Sequence, residues 1–265
     1  QGPAIAAGDI NGDGIDDIIV GAFLVNINNR TDTGAAYVIY GRNSTTCTSI
    51  TAVSLDLLKP YDLALLSLKV YDTPAYSGIA LPNGWMSSIN SSSVGLSNDG
   101  YFARTYIKDD VAIIAQRGTD EVWSDIIIND ILYLASGNIP PQFTHAETFF
   151  NRTISYLCNS TDVKYLGLTG HSLGAALAEL LIAKFKYSAI TFESPGIKAI
   201  LENNVNNFPS DAISYTDNNI ITYNAAPNLV NTMADHIGAI VRVYPSVDSM
   251  LLGLGESVHW FYTWD

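Results

Sequence analysis

The stretch VKYLGLTGHSLGAALAELLIAKFKY, Val163 to Tyr187, restricts the folds open to this chain more than any other. Tyr165 to Thr169 is a short apolar run, Gly170-His171-Ser172-Leu173-Gly174 reads as a tight turn, and the residues after it carry apolar side chains three and four apart. Strand, turn and helix in that order make a nucleophile elbow. The serine sits at the tip with its oxygen turned to solvent, and the flanking glycines let the two backbones pass close together. Ala175, Ala176 and Ala178 keep the helix slim where it lies on a sheet. The first N–H groups of such a helix lack intrahelical partners and its dipole favours negative charge, so an oxyanion beside Ser172 would be stabilised there.

A chain of 265 residues, 48% of them hydrophobic, can bury one sizeable core and reads as one large domain with room for an appendage. A net charge of −13 and a pI near 4.5 argue against nucleic acid or an anionic membrane as a partner reached through bulk electrostatics. Apolar runs fall short of the roughly 20 residues a spanning helix needs, so the expectation is a soluble protein or one in transient contact with a lipid interface. With no initiator methionine and no signal-peptide pattern, Gln1 reads as a mature end or a cut boundary. Cys47 and Cys158 could pair, but two cysteines make neither a disulfide framework nor a metal cluster. N-x-[ST] sequons at Asn29, Asn43, Asn90, Asn151 and Asn159 matter only in a eukaryotic secretory pathway.

Near the N-terminus, Asp9 to Asp17 reads D-I-N-G-D-G-I-D-D. Hard cations need such a run of oxygen donors: Asp9, Asn11, Asp13 and Asp17 can turn side-chain oxygens inward, Ile15 can add its carbonyl, and Gly12 and Gly14 allow the bend, so Ca²⁺ fits. An EF-hand would place a glutamate where Val20 stands, and strands rather than helices flank this loop. The segment resembles an FG-GAP repeat of the integrin-propeller type, matching G-D-x-N-G-D-G-x-D-D-x-x-V-G-A over Gly8 to Ala22 and G-x-x-Y-V-x-Y-G over Gly34 to Gly41. One repeat cannot close a propeller. Residues 1–42 are therefore assigned to this repeat, the Ser/Thr-rich residues 43–53 to a linker, and 54–265 to a second domain.

In that domain Leu58, Leu65, Leu66 and Leu68 recur at helical spacing, with Pro60 at the start of the helix. Gly84 to Asn98, rich in Ser, Asn and Gly, reads as a loop. Tyr101 to Ile107 and Val111 to Gln116, joined by Lys108-Asp109-Asp110, read as a hairpin whose second strand runs into Arg117-Gly118-Thr119. Acyl transfer needs two donors converging on the oxyanion, one just after the nucleophile and one from a separate strand end. Leu173 supplies the first through its N–H, and Thr119 suits the second.

Together with the elbow, Arg117-Gly118-Thr119 makes residues 55–265 resemble the class 3 lipases, the fungal triacylglycerol lipase family. Phe143 to Cys158, as a helix with Phe149, Phe150, Ile154 and Leu157 inward, and Thr191-Phe192-Glu193-Ser194-Pro195-Gly196, similar to the family's T-F-G-S-P strand end, extend the likeness. It implies an α/β-hydrolase fold behind a small N-terminal β segment that carries the calcium loop. It also implies an oxyanion role for Thr119 with Asp125 behind it, and a lid over Asp120 to Tyr133, which reads equally as an ordinary cover helix. The expected setting is secreted or extracellular.

Four histidines compete for the general base. Alternation turns His171 away from the serine, His145 opens a helix, and His236 sits in an H-x-G element before the last strand. His259, followed by Trp260-Phe261-Tyr262, matches the family's terminal histidine and is assigned the role. The family's acid belongs in Thr222 to Asn231, which holds no carboxylate. Asn228 falls on its place and could orient the imidazole without charge, unless Asp217, Asp235 or Asp248 reaches it instead.

These residues lead to a serine hydrolase of carboxylic, preferentially lipid, esters that works through an acyl-enzyme and needs no cofactor for catalysis. A catalytically weak or silent lipase-like binding module and an acyltransferase are the alternatives.

Overall fold

Ala112 to Ala115 and Leu166 to Leu168 are apolar without polar alternation, the pattern of strands covered on both faces. The computed structural model describes residues 4–10, 16–22, 34–39, 50–76, 78–96, 100–119, 132–225, 227 and 230–243. The chain divides into two units, Gln1–Thr48 and Ser49–Asp265.

In the first unit β1 (Ala4–Gly8), β2 (Asp17–Ala22) and β3 (Ala35–Ile39) form an antiparallel sheet in that order. Ile5, Tyr37 and Ile39 are exposed on it.

The second unit is built on a mostly parallel sheet. Its short first strand is β4 (Thr51–Ala52), and β6 (Ala103–Lys108) runs antiparallel to both its neighbours, β5 (Met86–Asn90) and β7 (Val111–Gln116). From β7 onward β8 (Tyr165–Gly170), β9 (Ser188–Phe192), β10 (Ile220–Asn224) and β11 (Ala239–Arg242) are parallel neighbours. β4 joins β8 on the side that β9 takes further along the strand. The helices are α1 (Pro60–Lys69), α2 (Phe143–Ser160), α3 (Leu173–Phe185), α4 (Lys198–Asn203) and α5 (Ala212–Asn219). Among the described residues no helix is long and apolar enough to cross a membrane.

The side-chain alternation of β9 separates the two faces. Ile190 and Phe192 pack into one cluster with Leu63, Leu66 and Val70 of the α1 region and with Ile113 and Ala115 of β7. Thr191, between them, points the other way, and its hydroxyl donates to Glu179 of α3 at 2.7 Å. Hence α1 and α3 cover opposite faces. Every residue of α3 from Leu173 to Ala183 is buried, as a helix apolar all round must be, and it packs on β7, β8, β9, α2 and α5.

Two stretches differ from their expectation. Gly84 to Asn98 contains β5, an edge strand whose sequence Met-Ser-Ser-Ile-Asn has no apolar alternation and which joins the sheet through its pairing with β6. The end of the expected linker enters the sheet: Thr51 pairs with Tyr165, and Ile50 and Val53 on either side of β4 are buried.

Glu179 is the only charged residue in the buried run of α3. Hydroxyls of Thr191, Ser194 and Thr222 donate to its carboxylate at 2.7, 3.0 and 3.2 Å. Desolvation by burial raises its pKa above the ordinary 4.5, and the Thr191 hydroxyl and the charge of His236 offset part of that rise. A raised pKa means the folded state holds the proton more tightly than the unfolded chain. The stability Glu179 contributes is thus complete below pH 4.5 and is lost as pH climbs through the higher folded value. Melting temperatures measured across that range are expected to fall with pH in the wild type and to flatten in Glu179→Gln; equal slopes would contradict the assignment.

Candidate active site

At the end of β8 the backbone turns sharply. His171 still bridges to Phe192 of β9, and Ser172 donates its N–H to the Phe192 carbonyl at 3.1 Å. Ser172 itself takes φ 58° and ψ −128°, a region that costs a non-glycine residue about 1–3 kcal/mol. A Cβ on Gly170 would collide with the Gly174 carbonyl, and one on Gly174 with the Gln116 carbonyl at the end of β7. Three backbones therefore meet with no side chain between them, and both glycines of the pentapeptide are required by contact. Leu173 opens α3, so its N–H belongs to the first turn, where the helix offers no acceptor.

The second donor loop lies alongside. Gln116 is in register with Gly170, and Arg117 is anchored by its N–H to the Phe102 carbonyl at 2.9 Å, by Nη2 to the Gly100 carbonyl at 2.9 Å and by its guanidinium over the Phe102 ring. Gly118 follows, so close to the elbow that an added Cβ would lie 2.5 Å from the Tyr71 hydroxyl, 2.6 Å from the His171 carbonyl and 3.3 Å from Ser172 Cβ. Thr119 comes next and is half-buried. Ser172, Leu173 and the Gly118-Thr119 turn thus gather at one end of the parallel sheet.

The sequence pattern places the serine oxygen in solvent, whereas Ser172 is only 5% exposed. The Gly118 turn lies against it, and that turn comes from a part of the chain far from the elbow. His171 is buried, with Nδ1 2.8 Å from the Tyr71 hydroxyl, which ties the elbow to the end of α1. His145 is half-buried on α2 and stacks on Tyr101. His236 is half-buried before β11, with Nε2 3.0 Å from the Asn231 carbonyl.

Asn228 and His259 lie outside the described residues, as do Asp125, Asp248 and residues 120–131 of the lid candidate. Asp217 and Asp235 are exposed. Asp217 accepts the Gly238 N–H at 3.3 Å, and Asp235 uses its backbone carbonyl to hold Lys198.

Two buried carboxylates escaped the sequence reading. One is Glu179. The other is Glu193, one residue past β9, with φ 50° and 6% exposure, whose carboxylate accepts the Ala225 N–H and Asn231 Nδ2. Each left a signal: a single acid in an apolar helix, and a glutamate where the T-F-G-S-P pattern has glycine.

In the first unit, β1 and β2 are in register up to the Gly8–Asp17 pair, which closes the loop between them. Asp17 is fully buried and its Oδ2 accepts the Ile10 N–H at 2.9 Å, so a carboxylate is fixed at the loop's base. Asp9 is exposed at the other end, and Asn11, Asp13 and Ile15 lie outside the described residues.

Comparison with known proteins bears directly on this loop. Residues 1–39 are an FG-GAP repeat. Such repeats commonly bind calcium. The chain is also 26% identical over 224 residues to Uncharacterized protein RP165 of Rickettsia prowazekii (strain Madrid E), an alignment that covers 74% of this chain and 59% of the relative. The chain thus spans under two thirds of that relative's length, and the likeness extends well past the repeat.

The contacts at Gly118 lead to a measurable expectation. Gly118→Ala must push back the Tyr71 hydroxyl or the His171 backbone, an overpacking cost of about 1–3 kcal/mol. Urea unfolding should report that loss. A variant as stable as wild type would mean the turn does not press on the elbow.

Proposed function

We propose that the second unit is a serine hydrolase of carboxylic esters, with lipid esters as the substrate class and an α/β-hydrolase fold of the class 3 lipase kind. The observation that carries this reading is Ser172 itself, held at φ 58° between a parallel strand and a buried helix, with the Gly118-Thr119 turn packed against it. A strained conformation at a non-glycine residue is retained where the surroundings over-determine it, and such sites cluster at catalytic centres.

In the proposed reaction Ser172 Oγ attacks the ester carbonyl as His259 takes its proton. The Leu173 and Thr119 N–H groups receive the oxyanion, and the protonated imidazole then passes the proton to the departing alcohol. Water repeats the sequence on the acyl-enzyme and releases the acid.

Hydrolysis of p-nitrophenyl esters from short to long acyl chains, with and without micelles, tests the reading. Ser172→Ala is expected to fall below about a thousandth of wild-type turnover, the scale on which loss of a triad nucleophile acts. Its stability should stay near wild type, since one hydroxyl is lost and the backbone strain remains. Residual turnover well above that level would place the nucleophile elsewhere.

For the first unit we propose Asp9, Asn11, Asp13, Ile15 and Asp17 as the calcium ligands. The buried Asp17 carboxylate at the base of the loop and the carboxylate and amide oxygens along it suit a hard cation. Calcium there supplies local stability and takes no part in ester chemistry. A ligand that binds only the folded form stabilises it by RT ln(1 + [L]/Kd), so chelation should lower a melting transition of the N-terminal unit while turnover persists. Loss of turnover on chelation without unfolding would contradict this division of roles.

A further inference from the structure

Tyr71 belongs to the apolar cluster between α1 and the sheet, with Val70, Ala115 and Phe192, and a phenylalanine ring would serve that cluster as well. Tyrosine adds a buried hydroxyl, which costs free energy unless it finds a partner. We propose that this hydroxyl is the spacer of the oxyanion hole and Tyr71 a positioning residue. It touches both donor turns, the one that carries Leu173 and the one that carries Thr119, and sets the separation of their N–H groups. The inference rests on the hydrolase reading, with Ser172 as the nucleophile.

Both contacts belong to the one oxygen. On the elbow side the hydroxyl shares a hydrogen bond of 2.8 Å with His171 Nδ1, and the two rings meet edge-on with centroids 6.0 Å apart. The His171 backbone is fixed in turn: its carbonyl accepts the Gly174 N–H at 3.0 Å, and it bridges to Phe192 of β9. Leu173 follows two residues later. On the other side the hydroxyl lies against Gly118, 2.5 Å from where a Cβ would stand, and that same point is 2.6 Å from the His171 carbonyl and 3.3 Å from Ser172 Cβ. Hydroxyl, carbonyl and nucleophile therefore crowd around one glycine, the residue before the second donor, Thr119. Tyr71 is held from outside both turns. Its N–H donates to the Leu68 carbonyl at 3.1 Å, its ring lies 5.9 Å from that of Tyr76, and Asp72 after it pairs with Arg104 of β6 at 2.8 Å. A group anchored on α1 and β6 can set the distance between two turns that it touches but does not belong to.

Oxyanion donors act only when both lie at hydrogen-bond distance from the place of the charged oxygen, and a displacement of about 1 Å can cost about 10² in rate. Tyr71→Phe keeps the ring and removes the spacer. On a short p-nitrophenyl ester it is expected to lower kcat about 10- to 100-fold, with KM within about twofold of wild type. The deciding readout is Ki for a trifluoromethyl ketone of the same acyl chain, whose carbonyl carbon takes up Ser172 Oγ and whose oxygen then presents a tetrahedral oxyanion to both donors. Its Ki should rise by the same factor as kcat/KM falls. A folded Tyr71→Phe with wild-type kcat overturns the proposal. So does a loss of kcat with an unmoved Ki, the result expected of a hydroxyl that serves stability alone. If Tyr71→Phe does not fold, the other end of the bond decides: His171→Asn, which keeps a polar atom near the place of Nδ1, should exceed His171→Leu in kcat by about tenfold and bind the ketone more tightly, and equal values contradict the role. Wild-type protein without Ser172-dependent turnover refutes the hydrolase reading, whereas wild-type turnover with Tyr71→Phe unimpaired refutes this inference alone.

Discussion

The arrangement depends on one close approach, the meeting of the ends of β7 and β8 with the start of α3. Gly170, Gly174 and the Gln116 carbonyl touch without side chains between them, and that contact holds the turn carrying Ser172 in a backbone conformation it would not choose alone. The opposing term is large. Leu177, Leu180, Leu181 and Ile182 of α3 are all at most 1% exposed, each contributing about 1.5–3 kcal/mol on burial. A strain of about 1–3 kcal/mol at Ser172 is offset several times over by the helix it begins. The elbow is therefore a consequence of packing, and the candidate chemistry sits where the packing is tightest.

Around this contact the polar groups are as constrained as the apolar ones. Tyr71 bonds His171, Ser67 of α1 bonds Thr169 of β8 at 2.8 Å, and the Thr169 hydroxyl also reaches the Ile190 carbonyl. Two carboxylates lie within the same region in different company. Glu179 is surrounded by hydroxyl donors and is pushed toward its neutral form by burial. Glu193 is held by N–H donors from the loop after β10. Hydroxyls can donate to or accept from a buried acid, whereas N–H groups can only donate to it.

Much of this was legible in the sequence for a physical reason. The elbow declares itself because strand and helix differ in period and glycine is obligatory between them, and α1, α2 and the β6–β7 hairpin have apolar positions or turn residues that specify them locally. The FG-GAP repeat was readable from the spacing of its oxygen donors and glycines. What was not legible depends on partners distant in the chain. β5 has no apolar pattern and exists through its pairing with β6. The packing of the Gly118 turn against Ser172 and the bond from Tyr71 to His171 join residues that no local rule brings together. Glu193 was passed over because its motif matched at every other position, and only the structure carries its side chain across to Ala225 and Asn231.

The central claim is that Ser172 is an activated nucleophile, and it is tested most directly by exposing the native protein to a fluorophosphonate and locating the adduct by peptide mass spectrometry. The account predicts a single stoichiometric adduct on Ser172 that disappears when the protein is unfolded before labelling. An unlabelled native protein, or an adduct on another serine with Ser172 unmodified, would contradict it.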